Sequence, residues 1–98
     1  MKKGNILYVR TDYKVDGAKV TKLDFQDHLE YLEGIAKERF FMGGGFTKKP
    51  GGMIIFEAKD IAEAKKISNG DPLISRNLYR YDLTEWEMVI LSKDLCNS

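Results

Sequence analysis

The spacing of apolar and polar positions changes along the chain, and each change predicts an element. Ile6, Leu7, Tyr8 and Val9 form an apolar run rich in β-branched and aromatic side chains, which predicts a first strand ending near Arg10 to Asp12. Tyr13 to Lys22 carries mixed charges and the turn pair Asp16-Gly17, so it reads as a loop. From Asp24 the period becomes helical, with Phe25, Leu29, Leu32, Ile35 and Ala36 on one stripe. Asp24 is placed to cap this helix, Asp27 favours its first turn, and Lys37 and Arg39 favour its end. Gly34 interrupts the helix at a cost of about 1 kcal/mol relative to alanine, a cost that close packing on a sheet would offset. Phe40, Phe41 and Met42 predict a second strand stopped by Gly43, Gly44 and Gly45. The segment from Lys48 to Gly52 is a turn, and Met53 to Ala58 a third strand. Asp60 with Glu63 three residues on opens a second helix, striped by Ile61, Ala64 and Ile67 and ended by Asn69-Gly70. Asp71-Pro72 starts a further short turn or helix. Tyr79 to Leu91 is a long last strand, and Ser92 to Ser98 a polar tail.

The order strand, helix, strand, strand, helix, strand predicts an α+β, ferredoxin-like βαββαβ sandwich in one domain spanning residues 1–98: four antiparallel strands with both helices on one face. A sheet covered on one face only should be polar on the other. The third strand breaks that rule, with Met53 and Ile55 on one side and Ile54, Phe56 and Ala58 on the other. The last strand does likewise, with Trp86, Met88 and Ile90 against Val89 and Leu91. An apolar second face calls for a cover, and a homodimer packed sheet to sheet is the economical one, with the tail or the long loop as alternatives.

Composition narrows the classes. Sixteen basic and fifteen acidic residues leave a net charge of +1, which argues against nucleic acid as a partner. The longest apolar runs, at Met53 to Phe56 and Met88 to Leu91, fall far short of the ~20 residues needed to cross a bilayer, and the first residues lack the pattern of a secretory signal. The single cysteine, Cys96, sits in a tail expected to fray and cannot pair within the chain, so a reducing, cytoplasmic compartment is the simpler expectation.

His28 is the only histidine and lies on the flank of the first helix's apolar stripe. Imidazole titrates near neutral pH, which suits general acid/base work, and a packing role is the alternative. Asp71 is an N-cap by its place before Pro72, and it could also orient His28 if the second helix returns the chain beside the first. Arg10, if it faces the uncovered side of the sheet, could hold a ligand carboxylate; a surface ion pair is the commoner fate. Gly43, Gly44 and Gly45 could let a ligand approach the backbone or form a bare turn, and they lack the context of a dinucleotide or phosphate loop. One histidine and a distant cysteine make no ordinary metal site.

The segments around these residues resemble a known family. Asp27 to Leu32 is similar to the H-L-x-Y-L helix of YciI-like proteins, in the dimeric α/β-barrel superfamily. Phe41 to Phe46 resembles that family's second strand. Gly52 to Ala58 followed by Asp60, Glu63 and Ala64 resembles its central segment, and Asn69 to Leu73 its D-P signature. The likeness runs over roughly residues 5–91 and departs from the pattern at the triple glycine and in the charged segment Tyr13 to Lys22. It implies a ferredoxin-like fold that dimerises through its sheets and a pocket holding a His–Asp pair, which falls on His28 and Asp71. The wider family resembles muconolactone isomerases and an enzyme that removes chloride from chlorinated hydroxyquinols.

The expected function is a cofactor-independent lyase or isomerase acting on a small molecule. His28 would move a proton, Asp71 would fix its tautomer, and backbone amides near Gly43 to Gly45 would stabilise oxyanion charge. A ligand-binding or regulatory homodimer without turnover is the alternative. Haem binding or monooxygenation on the same fold is a third.

Overall fold

The computed structural model describes residues 2–96. Four strands, β1 (Ile6–Lys14), β2 (Phe41–Gly45), β3 (Gly52–Phe56) and β4 (Tyr79–Glu87), form one antiparallel sheet in the order β2-β3-β1-β4. Two longer helices, α1 (Lys22–Ala36) and α2 (Ile61–Asn69), make the crossovers, and two single turns, α3 (Pro72–Ser75) and α4 (Lys93–Cys96), flank β4. This is the ferredoxin-like βαββαβ arrangement.

Register explains which residues form the core. Tyr8 pairs with Phe56 and Arg10 with Ile54, so these four side chains share one face. On that face Tyr8, Ile54 and Phe56 pack with Leu32 of α1 and with Ala64 and Ile67 of α2. The Phe56 ring also meets Tyr8 and Phe41 at centroid distances of 6.2 and 5.7 Å. The opposite face carries Met42, Met53 and Trp86, all exposed, with Val9 and Ile55 half-buried between them.

Several element boundaries differ from the sequence reading, each for a local reason. β1 does not stop at Arg10 to Asp12 but runs on to Lys14, fully paired with β4, because Arg10 and Asp12 satisfy one another inside the fold. The cap of α1 is Thr21, and Asp24 is its N3 partner in a reciprocal capping box. Gly34 makes no close approach: a Cβ there would meet nothing within 4 Å. Gly43, Gly44 and Gly45 lie inside β2 rather than ending it, paired with Ile54, Met53 and Gly52. Gly51 turns the hairpin with φ +101°, and a Cβ there would run into the Asp12 carbonyl oxygen. β3 closes at Phe56 and β4 at Glu87, both shorter than their apolar runs suggest. The cap of α2 follows expectation, with Asp60 accepting from the Glu63 N–H. Lys93–Cys96 is helical where a frayed tail was expected; Asn97 and Ser98 lie outside the described residues.

Candidate functional site

The site is assembled by three elements around one carboxylate. Asp71 caps the short α3, accepting from the Leu73 N–H at 3.0 Å. The same carboxylate accepts from Arg10 Nη2 of β1 at 2.7 Å and lies 2.8 Å from His28 Nδ1 of α1 through both oxygens. Capping and contact with His28, alternatives in the sequence, therefore coexist. Arg10 continues the chain of ion pairs, donating from Nε and Nη2 to the two oxygens of Asp12 at 2.7 and 2.8 Å. Arg76 fastens the elements from outside, pairing at 2.8 Å with Asp24 and with Asp27 one residue from His28.

Burial makes these bonds matter. Arg10 is 1% exposed and Asp71 fully buried, whereas the His28 side chain is 14% exposed. Arg10 is thus neither on the uncovered face nor in a surface ion pair. It stands mid-strand on the helix-covered side, and its donors serve two carboxylates. The physical reason is mutual: a buried guanidinium is tolerated only where acceptors surround it, and a buried carboxylate only where donors do. Its Cζ also lies 5.6 Å from the centre of the Tyr81 ring.

The two carboxylates respond oppositely. Burial pushes the Asp71 carboxyl up, but hydrogen bonds from His28 and Arg10 and the charge on Arg10 outweigh it, and the net effect is below the ordinary value. Burial also pushes Asp12 up, and there Arg10 only partly offsets it while Asp71 adds repulsion, so Asp12 ends above the ordinary value. Burial lowers the Arg10 pKa, yet its two carboxylate partners leave it raised. With Asp71 ionised, His28 Nδ1 carries a proton and donates it. In the tautomer protonated at Nδ1 the lone pair lies at Nε2.

His28 forms part of the wall of a cavity of about 470 Å³, large enough for a single-ring ligand. Phe25 and Leu29 of α1 face this space, which accounts for their exposure on a stripe that periodicity assigns to the core. Gly43, Gly44 and Gly45 line the far side, on an edge strand whose outer N–H groups have no ladder partner. Close packing excludes a side chain at Gly43 alone, where a Cβ would lie 2.9 Å from Ile54 Cγ1; at Gly44 a Cβ would meet nothing within 4 Å. Asp12 and Tyr79 also reach the wall, and the sequence reading missed both. A signal for Asp12 existed: charges of opposite sign at alternate strand positions share a face. Asp71 and Arg10 stay behind the wall. Among the described residues no cluster of histidine, cysteine, aspartate or glutamate is arranged to hold a metal ion, and no helix is long and apolar enough to cross a membrane.

Comparisons with known proteins match this architecture. A solved structure, 5-chloro-2-hydroxyhydroquinone dehydrochlorinase (TftG) from Burkholderia phenoliruptrix AC1100 in complex with 2,5-dihydroxybenzoquinone, superposes with a TM-score of 0.71. The likeness covers 83% of this chain and 93% of that one at 21% identity, a shared fold. The uncharacterized protein YjpA of Bacillus subtilis (strain 168) is 32% identical over 62 residues, which is 62% of this chain and 73% of that protein. The model of the YCII-related domain matches residues 6–87, from the first residue of β1 to the last of β4, and the chain therefore belongs to the YCII-related family.

Proposed function

We propose that this protein is a cofactor-independent lyase or isomerase that moves a proton on a small cyclic substrate, with His28 as the general base and acid. The observation that carries the reading is the 2.8 Å contact between His28 Nδ1 and the buried Asp71 carboxylate, made by a histidine on the wall of a ring-sized cavity. The pairing fixes one tautomer and stabilises the imidazolium that forms when Nε2 takes a proton. Arg10 would act as a positioning residue, holding Asp71 ionised and in place. The glycine backbone of β2 is a source of donors for oxyanion charge on the substrate. The structural neighbour is a 5-chloro-2-hydroxyhydroquinone dehydrochlorinase, and 5-chloro-2-hydroxyhydroquinone is a sensible first substrate. Its turnover would release HCl and leave a hydroxybenzoquinone, with the substrate itself supplying both electrons of the departing chloride.

The experiment is twofold: chloride release from 5-chloro-2-hydroxyhydroquinone, and exchange of carbon-bound protons for solvent deuterium in a panel of small cyclic ketones and lactones. Turnover or exchange by the wild type is expected, with a loss of about 10²–10⁴-fold in His28→Gln. Undiminished rates in that variant would sink the proposal.

The reading includes a second copy of the chain. Trp86, Met53 and Met42, exposed at 45%, 42% and 56%, sit on the sheet face opposite the helices. Sheet-to-sheet packing about a two-fold axis would cover them and form the dimeric barrel.

A further inference from the structure

The hydrogen-bonded chain His28–Asp71–Arg10–Asp12 has an unequal exposure to the cavity. Its two inner members are sealed behind the wall, and its two ends, His28 and Asp12, line it. The proton chemistry proposed above uses one end only. The other end is a carboxylate buried to 7% side-chain exposure, held in a fixed plane by two N–H donors from one guanidinium.

We propose that Asp12 is a specificity-determining residue, which recognises the ligand by accepting a hydrogen bond from a hydroxyl group, so that the cavity takes hydroxylated rings in preference to their ethers. The inference deepens the reading of the cavity as a substrate site and rests on it.

Three observations carry this. Each Asp12 oxygen receives one hydrogen bond from Arg10, while a carboxylate has about four acceptor positions, so acceptor capacity remains. The group is clamped, and a clamped acceptor discriminates by geometry as well as by energy. Finally, the two buried carboxylates Asp71 and Asp12 share the one guanidinium of Arg10. Among the described residues lining the cavity, none is lysine or arginine. Beside the backbone donors of Gly43 to Gly45, the wall offers carboxylates at Asp12 and Glu33 and apolar surface from Phe25, Leu29 and Ile54, so a ligand hydroxyl finds an acceptor there. Burial, which raises the Asp12 carboxyl, reports the same unmet demand for a proton or a donor. A ligand hydroxyl meets that demand. A methoxy group in its place leaves the acceptor unpaired and crowds it.

The test is equilibrium binding, which needs no turnover. 2-Hydroxyhydroquinone and its trimethyl ether are titrated, without oxygen, into wild type, Asp12→Asn and His28→Gln. Wild type is expected to prefer the triol by about 10–100-fold, the range for one buried hydrogen bond to a charged group. The preference should fall to within a few-fold in Asp12→Asn, whose side chain keeps its volume, and persist in His28→Gln. Equal preference in wild type and Asp12→Asn, or failure of the triol to bind the wild type at millimolar concentration, would overturn the assignment. Because binding is read separately from proton exchange, a protein that selects the triol but exchanges no proton would refute catalysis and leave the role of Asp12 standing.

Discussion

Asp71 places three donors on one buried carboxylate: the Leu73 N–H, Arg10 and His28. It is held below its ordinary value of 3.8 while Asp12 is held above the same value, and the two therefore pull the pH dependence of stability in opposite directions. For Asp71 the unfolded state binds more protons between the depressed folded pKa and 3.8, so its contribution is complete above 3.8 and is lost as pH falls through the folded value. For Asp12 the folded state binds more protons above 3.8, so stability declines as pH rises from 3.8 through the elevated folded value and then levels off. Denaturant unfolding measured between pH 2.5 and 7, roughly the span of the two transitions, should show both limbs in wild type. Asp71→Asn should be the less stable at neutral pH by about 2–4 kcal/mol, since Arg10 and His28 lose their shared charge partner, and should lack the acid-side loss. In Asp12→Asn the decline above 3.8 should vanish. Parallel curves for all three proteins would refute this account.

The second helix and the short α3, with their caps, are legible because their signals are local: Asp60 with Glu63, Asp71 with Pro72, and the stripe of Ile61, Ala64 and Ile67 each lie within one or two turns, whereas the cap of α1 falls on Thr21 and not on Asp24. β1 was misread at its second half because Arg10 looks like a strand terminator until its partner 61 residues away is known. At Gly43 the reason is related, since it is Ile54 of the neighbouring strand that leaves no room for a side chain. A long-range contact also decides how α1 meets α2. Tyr31 donates to the Ile67 carbonyl at 2.7 Å, and a Cβ at Gly70 would strike the Tyr31 hydroxyl. Gly70 has φ −78°, so its backbone conformation would suit alanine and the obstacle is the side chain alone. Gly70→Ala should cost about 1–3 kcal/mol in wild type. Tyr31→Phe should cost about 0.5–1.5 kcal/mol by the lost hydrogen bond. Without the hydroxyl the worst clash is gone and the ring, whose Cζ would lie 3.0 Å from the methyl, need give by only a few tenths of an ångström, so the double variant should be more stable than the sum predicts, by about 1 kcal/mol. Strict additivity would show that the contact does not limit the position.

The molecule as a whole leaves one layer of its sheet uncovered, and its stability and site both bear on that. Leu7 and Met88 are buried at one end of the sheet, yet Trp86, the cross-strand partner of Leu7, is exposed there, and the bare region runs from it across Val9 and Ile55 to Met53 and Met42. Met42 and Met53 also belong to the wall of the cavity, which places the uncovered face and the site on the same edge strand pair. A partner seated on that face would therefore fix the rim against which a ligand rests. If a second copy covers it, sedimentation at micromolar concentration should give twice the monomer mass of 11.2 kDa. Trp86→Lys puts a charge into the uncovered apolar face without touching His28, Asp71 or the helix-facing core, and should shift the mass to that of the monomer while far-UV circular dichroism stays unchanged. Ligand affinity should fall in the same variant, because Met42 and Met53 lose the packing that holds them. A wild type that sediments as a monomer at all concentrations would remove the second copy, and a monomeric variant with undiminished affinity would separate the cavity from the interface.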